Sequence, residues 1–290
     1  MRQIVYGSHA YARPSEGTTR SLRAIDLEDL NRFHKTHYMP HRSLLIFSGA
    51  IEPARALELA RRYLGDWAAG SPPAEPAVPP PQPAATHVYV VHRPDSEQSK
   101  IRVGHLGIPR TSSAYVASRV FNQIFGGGFN SRLNKRIRIQ EGLTYGARGS
   151  FTAEKEPGIF VASTFTRNEK TAETVRLVLE EIEKIRREPP TAEEISESVS
   201  YLIGQFGLSL ETPADVAAKV FDLRLYGLPD GYYESYLSEV NRIGADQVLA
   251  FAREHLQPDK LVIVVVGDAS LIQESLAQIA PVTVLDESGT

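Results

Sequence analysis

The sequence predicts an α+β fold, a duplicated two-layer domain with a largely antiparallel sheet flanked by helices, its first copy incomplete. Three observations carry that prediction. Residues 25–49, IDLEDLNRFHKTHYMPHRSLLIFSG, and residues 243–267, IGADQVLAFAREHLQPDKLVIVVVG, align without a gap at a constant offset of 218. Ile25 meets Ile243, Phe33 meets Phe251, His37 meets His255, Pro40 meets Pro258 and Gly49 meets Gly267. Each copy reads as an amphipathic helix, a proline stop, a buried strand and a glycine turn. Between the copies, seven prolines crowd the stretch from Pro72 to Pro83, which favours an extended strap. Finally, LTYGARGSF and GIFVASTFT flank the turn EKEPG and read as a hairpin, which is antiparallel by construction of the turn.

Taken in order, the first element is the repeat helix from Ile25, followed by the apolar run Leu44 to Phe47. A strand apolar on both faces expects neighbours on either side and cover above and below. If the second copy begins near residue 86, the first would begin upstream of Met1, so about 130 residues of it are expected to be missing. Residues 1–70 are thus expected to be the latter half of a first domain and the less stable body, prone to self-association or to proteolysis. Residues 71–86 are expected to be a proline-rich linker whose twelve densest residues span roughly 37 Å in a polyproline II conformation. Residues 87–290 are then expected to be the second domain, complete if the resemblance given below holds.

Within that domain VYVV at 88–91 and KIRVGHLGI at 100–108 predict strands, the latter setting Ile101, Val103 and His105 against Arg102, Gly104 and Leu106. Val120, Phe121, Ile124 and Phe125 recur at helical spacing until the glycines at 126–128, and a second short helix follows to about Gln140. Val175, Leu179 and Ile182 mark a long helix that Pro189 and Pro190 end. Thr191 with Glu194 forms a capping box for the next, and Thr212 with Pro213 caps another.

Composition excludes more than it assigns. A formal net charge of −3 gives no electrostatic reason to expect nucleic acid or an anionic membrane. With no cysteine there is no disulfide, thiolate metal site or cysteine nucleophile. No apolar stretch reaches the eighteen or so residues of a membrane span, and the compartment stays open because a signal peptide would lie upstream.

The run NSRLNKRIRIQEGLTYGARGSF at 130–151, preceded by FGGG, together with the repeat, the strap and the closing GD at 267–268, resembles the M16 zinc metallopeptidases. These include the pitrilysin, insulin-degrading and mitochondrial processing peptidase types. The resemblance covers nearly the whole chain, with HAYARPSEGTTRSLRAIDLEDLNRFHKTHYMP typical of the latter half of the first, catalytic-type domain. It implies two similar domains facing each other with a peptide or unfolded protein substrate held between them as an added strand. Catalysis in that family uses an H-x-x-E-H zinc motif, and this sequence has none. FAREH at 251–255 has phenylalanine in the first histidine position. Ser118, Phe121 and Asn122 stand where a first-domain helix would carry His, Glu and His. The resemblance therefore implies that this chain binds no Zn²⁺ and is inactive alone, zinc belonging to the complete enzyme or to a zinc-bearing partner subunit. A natural non-catalytic subunit is the alternative, and a homo-oligomer is a further possible assembly.

The resemblance also carries two site residues. Arg138 and Tyr145, spaced R-x6-Y in RIQEGLTY, match the arginine and tyrosine that reach substrate and active centre in the family. A guanidinium offers a fixed fork of donors to a peptide carbonyl, and a tyrosine hydroxyl can serve an oxyanion. From the residues alone, Arg138 also fits a solvated helix end and Tyr145 a packed strand residue. His34, His37 and His41 invite a metal reading, but His37 recurs as His255 and Pro40 separates His41 from the helix, so a structural role is expected. The glycines at 126–128 lack the G-K-[ST] of a phosphate loop and predict a helix break with close backbone approach.

Overall fold

The computed structural model describes residues 1–71, 78–81 and 83–286. Its strands are β1 (His87–His92), β2 (Gln98–Leu106), β3 (Ile108–Pro109), β4 (Arg148–Phe151), β5 (Ala153–Glu154), β6 (Ile159–Arg167), β7 (Val262–Gly267) and β8 (Val282–Leu285). Six of them form one sheet in the order β4-β6-β2-β7-β1-β8, and β3 pairs with β5 separately. The pairs β4–β6, β6–β2 and β2–β7 are antiparallel, while β7–β1 and β1–β8 are parallel. The hairpin expected around EKEPG is the β4–β6 pair.

Before the sheet come helices α1 (Arg2–Tyr6), α2 (Thr19–Ala24), α3 (Leu27–His37) and α4 (Pro53–Leu64). Among and after the strands lie α5 (Tyr115–Asn122), α6 (Arg132–Asn134), α7 (Thr171–Arg187), α8 (Ala192–Leu208), α9 (Pro213–Tyr226), α10 (Tyr232–Arg242), α11 (Ala245–His255) and α12 (Ala269–Ala277). Thr191 and Thr212 accept from the amides of Glu194 and Asp215, so both expected caps form. The glycine triplet does not simply break its helix. Instead α5 widens into a π turn over Gln123–Gly127, and α6 does the same over Lys135–Gln140.

One face of the sheet packs on α5, α7, α11 and α12 through an aromatic centre of Phe121, Phe125, Phe151, Phe160 and Phe251, all 4% exposed or less. Burying each such ring stabilises the fold by roughly 1.5–3 kcal/mol. The opposite face is covered by the chain's own first twelve residues. Val5, Tyr6 and Ala12 pack on Ile159, Val262 and Val264. The Tyr6 hydroxyl donates to Pro157 O at 2.9 Å, and the Arg2 guanidinium pairs with Glu154 at 3.0 Å. Both faces of β7 are therefore apolar because both are covered, Ile263 and Val265 by helices, Val262 and Val264 by the N-terminal segment.

The expected strand at Leu44 to Phe47 does not form. That segment is irregular, with Leu44 46%, Leu45 52% and Phe47 42% exposed. The reason is the ladder: a strand is held by hydrogen bonds to neighbours, and within residues 13–71 no other strand is present to supply them. Of the strap, residues 72–77 and 82 lie outside the described residues, and 78–81 are neither helix nor strand.

Candidate functional site

The sheet ends at β4, whose outer edge has no partner strand. Glycine decides what sits beside it. A Cβ on Gly126 would lie 2.0 Å from Gly149 N, and one on Gly149 would lie 2.4 Å from the Phe125 ring, so only glycine at both positions lets the π turn after α5 rest on β4. This is the close backbone approach expected of the triplet. Asn122 completes the joint as a substitute ladder partner: its Nδ2 donates to Phe151 O at 2.9 Å and its Oδ1 accepts from Phe151 N at 2.7 Å.

Between this joint and the π turn after α6 lies a cleft of about 350 Å³, and both sequence-predicted residues, Arg138 and Tyr145, line it. Arg138 sits in that π turn with its guanidinium 4.8 Å over the Phe129 ring. Tyr145 precedes β4 rather than belonging to it, and its side chain is 82% exposed, so it is not a packed strand residue. Its backbone is nonetheless held. Asn134 bridges the cleft walls, accepting from Ala147 N at 3.2 Å and donating to Phe129 O at 2.7 Å. Thr164 donates to Gly146 O and Thr166 to Leu143 O. An exposed aromatic hydroxyl on a pinned segment is preorganised to meet something outside the molecule.

Three lining residues were not anticipated. Phe129, 61% exposed, forms the base under Arg138; Arg148 adds a second cation from β4; Asn134 ties the walls. Phe129 carried a readable signal, a lone aromatic between a glycine run and a helix start. Arg148 becomes part of the site only through the Gly126–Gly149 crossing, which sequence spacing does not encode. No Asp or Glu lines the cleft, so its electrostatics favour acceptors such as peptide carbonyls and carboxylates.

The positions expected to replace a zinc motif are committed to structure. Phe121 is fully buried, Ser118 donates to Tyr115 O at 2.6 Å, and Asn122 makes the ladder-like pair just described. Among the described residues no three His, Asp or Glu side chains converge as a metal set. His34 stacks on Tyr38 and His37 lies tilted against Phe33, with ring centres 5.0 and 4.4 Å apart, and the repeat reproduces the second pair as Phe251 and His255 at 4.8 Å.

A family model described as the peptidase M16 inactive domain matches residues 24–202. An uncharacterized zinc protease of Streptomyces coelicolor is 25% identical over 257 residues, covering 87% of this chain and 56% of that protein. The non-peptidase homolog YmxG of Helicobacter pylori is 23% identical over 273 residues, covering 92% and 62%. The chain thus spans less than two thirds of the length of these relatives. Among solved structures, a peptidase M16 inactive domain from Pseudomonas fluorescens matches with a TM-score of 0.84 at 30% identity, over 92% of this chain and 64% of that one. A protease from Helicobacter pylori shares the fold, with a TM-score of 0.79 at 18% identity over 90% and 64%.

Proposed function

The chain belongs to the M16 peptidase family, matching its inactive domain, and from that premise we propose that it supplies the substrate-holding part of a zinc-dependent metalloendopeptidase and not its catalytic centre. The observation that carries this reading is the pairing of Arg138 with the pinned, exposed Tyr145 in an acid-free cleft beside the edge strand β4, whose own outward backbone groups are capped by Asn122 and the π turn. An extended peptide presents a row of carbonyl acceptors, which suits the guanidinium forks of Arg138 and Arg148. The Tyr145 hydroxyl can donate to a charge that develops on a carbonyl oxygen held in front of it.

Zinc does not fit the residues at the zinc-motif positions of α5, nor does any metal set form among the described residues. Ser118, Phe121 and Asn122 offer no imidazole or carboxylate, and the two polar ones already make hydrogen bonds within the fold. Under this reading the metal belongs to the complementary catalytic half or to a zinc-bearing partner subunit. The name of the Helicobacter pylori relative, a non-peptidase homolog, favours a second version in which the chain acts inside a non-catalytic subunit.

The test pairs the chain with a zinc-bearing M16 catalytic half and measures peptide turnover. Tyr145→Phe is expected to lower turnover by about ten- to a thousandfold, as loss of an oxyanion donor does. Arg138→Ala is expected to weaken peptide binding. Neither change should move the stability of the isolated chain by more than about 0.5 kcal/mol. Unaltered kinetics in an active assembly would reject the role of both residues.

A further inference from the structure

Away from that cleft, the chain just after β3 places a cation where it has no counter-charge. Arg110 is 6% exposed and is enclosed by three tyrosine rings, its Cζ lying 3.7 Å from the ring centre of Tyr115, 4.7 Å from Tyr232 and 5.8 Å from Tyr226. Its backbone amide donates to Glu154 O, but no carboxylate among the described residues pairs with its guanidinium. Nη1 and the Tyr232 hydroxyl are both fully buried and, apart from a weak approach of this guanidinium and this hydroxyl to each other, have no hydrogen-bond partner among the described residues. Ring faces attract a cation but accept no directed N–H bond comparable to a carboxylate's, and buried charges in folded proteins are ordinarily paired. Arg132 shows the ordinary solution in the same molecule, with two 2.7 Å bonds to Glu194.

Arg110 opens on a cleft of about 240 Å³ between α5, α8, α9 and α10. Two further cations line it, Arg119 and Lys219, against one carboxylate, Asp222, which already accepts from the Tyr233 hydroxyl at 3.4 Å. The rest of its wall mixes aromatic rings with the polar Gln205 and Ser209, and Phe206 and Tyr233 both lie within 6 Å of the Lys219 ammonium. Burial pushes the hydroxyls of Tyr232 and Tyr233 up to about 12, so they stay neutral and add no negative charge beside Arg110. At about 240 Å³ the cleft is smaller than the roughly 300–1,000 Å³ of drug-sized pockets, so its occupant is small.

We propose that this cleft is a binding site for a small organic anion, a carboxylate head answering Arg110 and an apolar or aromatic body lying against Phe206 and Tyr233. A carboxylate of this kind comes either from a free small acid or from the C-terminus of a short peptide. The site is independent of the Arg138–Tyr145 cleft and shares no lining residue with it.

The experiment titrates the full 290-residue chain by calorimetry with benzoate, with its neutral analogue benzamide, and with Ala-Ala-Phe carrying a free or an amidated C-terminus. Saturable binding of benzoate or of the free-acid peptide is expected, weakened at least tenfold in the neutral analogue. Whichever acid binds more tightly identifies the source. Arg110→Gln should abolish binding. Because that buried change can also unfold the chain, Arg119→Gln and Lys219→Met at the rim provide the second measure, each weakening binding about three- to tenfold without shifting the thermal melt. Absence of saturable binding by either acid, equal binding of acid and amide, or indifference to both rim variants would overturn the proposal.

Discussion

Residues 25–49 and 243–267 carry one pattern, and the fold completes it only once. Both segments make an eleven-residue helix, α3 and α11, then a single turn of 3₁₀ helix opened by proline, at Pro40–Arg42 and Pro258–Lys260. Both keep a tilted Phe–His ring contact one turn apart. Past the proline they part. Val262–Gly267 lies between β1 and β2 with helices on one face and the N-terminal segment on the other, whereas Leu44 to Phe47 has no strand beside it. The same holds for the helices: Val248, Phe251 and Ala252 are 0–3% exposed, while Leu30 and Phe33 are 57% and 56% exposed. Helix hydrogen bonds are local and form from the pattern alone, with Asp26 and Asp29 capping α3 reciprocally. Strand hydrogen bonds and burial are supplied by other parts of a fold, so a repeat can specify them without obtaining them.

The largest effect that would test this contrast is in amide exchange. Backbone amides of Ile263 to Val266 should exchange only on global opening, at least about 10⁴-fold more slowly than those of Leu44 to Phe47, which should exchange at nearly unstructured rates. Comparable protection of the two segments would mean that the first copy finds cover after all. The next test sets the matched aromatics against each other. Phe251→Ala should cost about 3–5 kcal/mol in denaturant unfolding, because its ring packs on Phe121 and Phe151 at 5.3 and 5.0 Å, whereas Phe33→Ala should cost no more than about 0.5 kcal/mol. If a zinc-bearing catalytic half covers α3, as proposed above, the two costs should converge in that assembly.

A smaller effect lies in pH. His105 is buried between Phe151 and Phe160, its Nδ1 2.6 Å from Leu106 O and its Nε2 accepting from Gln257 N at 3.2 Å, in the link that joins α11 to β7. Burial pushes its pKa from 6.5 down to about 4. The unfolded chain therefore takes up a proton first on acidification. The stability His105 contributes is fully present above pH 6.5 or so and is lost as pH falls through about 4, a loss of up to about 3 kcal/mol. Unfolding midpoints measured from pH 7 to pH 4 should show that slope, and His105→Gln should flatten it.

Much of the second domain was legible because its signals are local. Alternation at Ile101, Val103 and His105, the caps at Thr191 and Thr212, and the hairpin around EKEPG each name an element that formed. The failures are non-local. Leu44 to Phe47 reads as a strand because its pattern is one, while the missing ingredient is a neighbour. The cover that α1 gives to β7 was unreadable because five residues, RQIVY, carry too little periodicity to predict what they pack against. At the candidate site, Arg138 and Tyr145 were reachable by resemblance and Phe129 by its place between a glycine run and a helix start, but Arg148 joins them only through a glycine-to-glycine crossing in space.

The segment clamped under the sheet has one more consequence. Residues 1–12 are fastened to the β5–β6 turn by the Arg2–Glu154 pair and the Tyr6–Pro157 bond. At the far end of the excursion, the Thr86 hydroxyl donates to Pro258 O and accepts from Leu261 N, while Pro81 lies close enough to Gly7 that a Cβ there would sit 2.9 Å from its ring. The described residues between 13 and 71 thus follow one attachment to the sheet and precede another. Cutting the chain between the two does not shed what precedes the cut. A nick in the strap would turn one polypeptide into two complementing fragments, the smaller still plugged into the larger by a dozen residues. The two would travel together through a native column and separate only in denaturant.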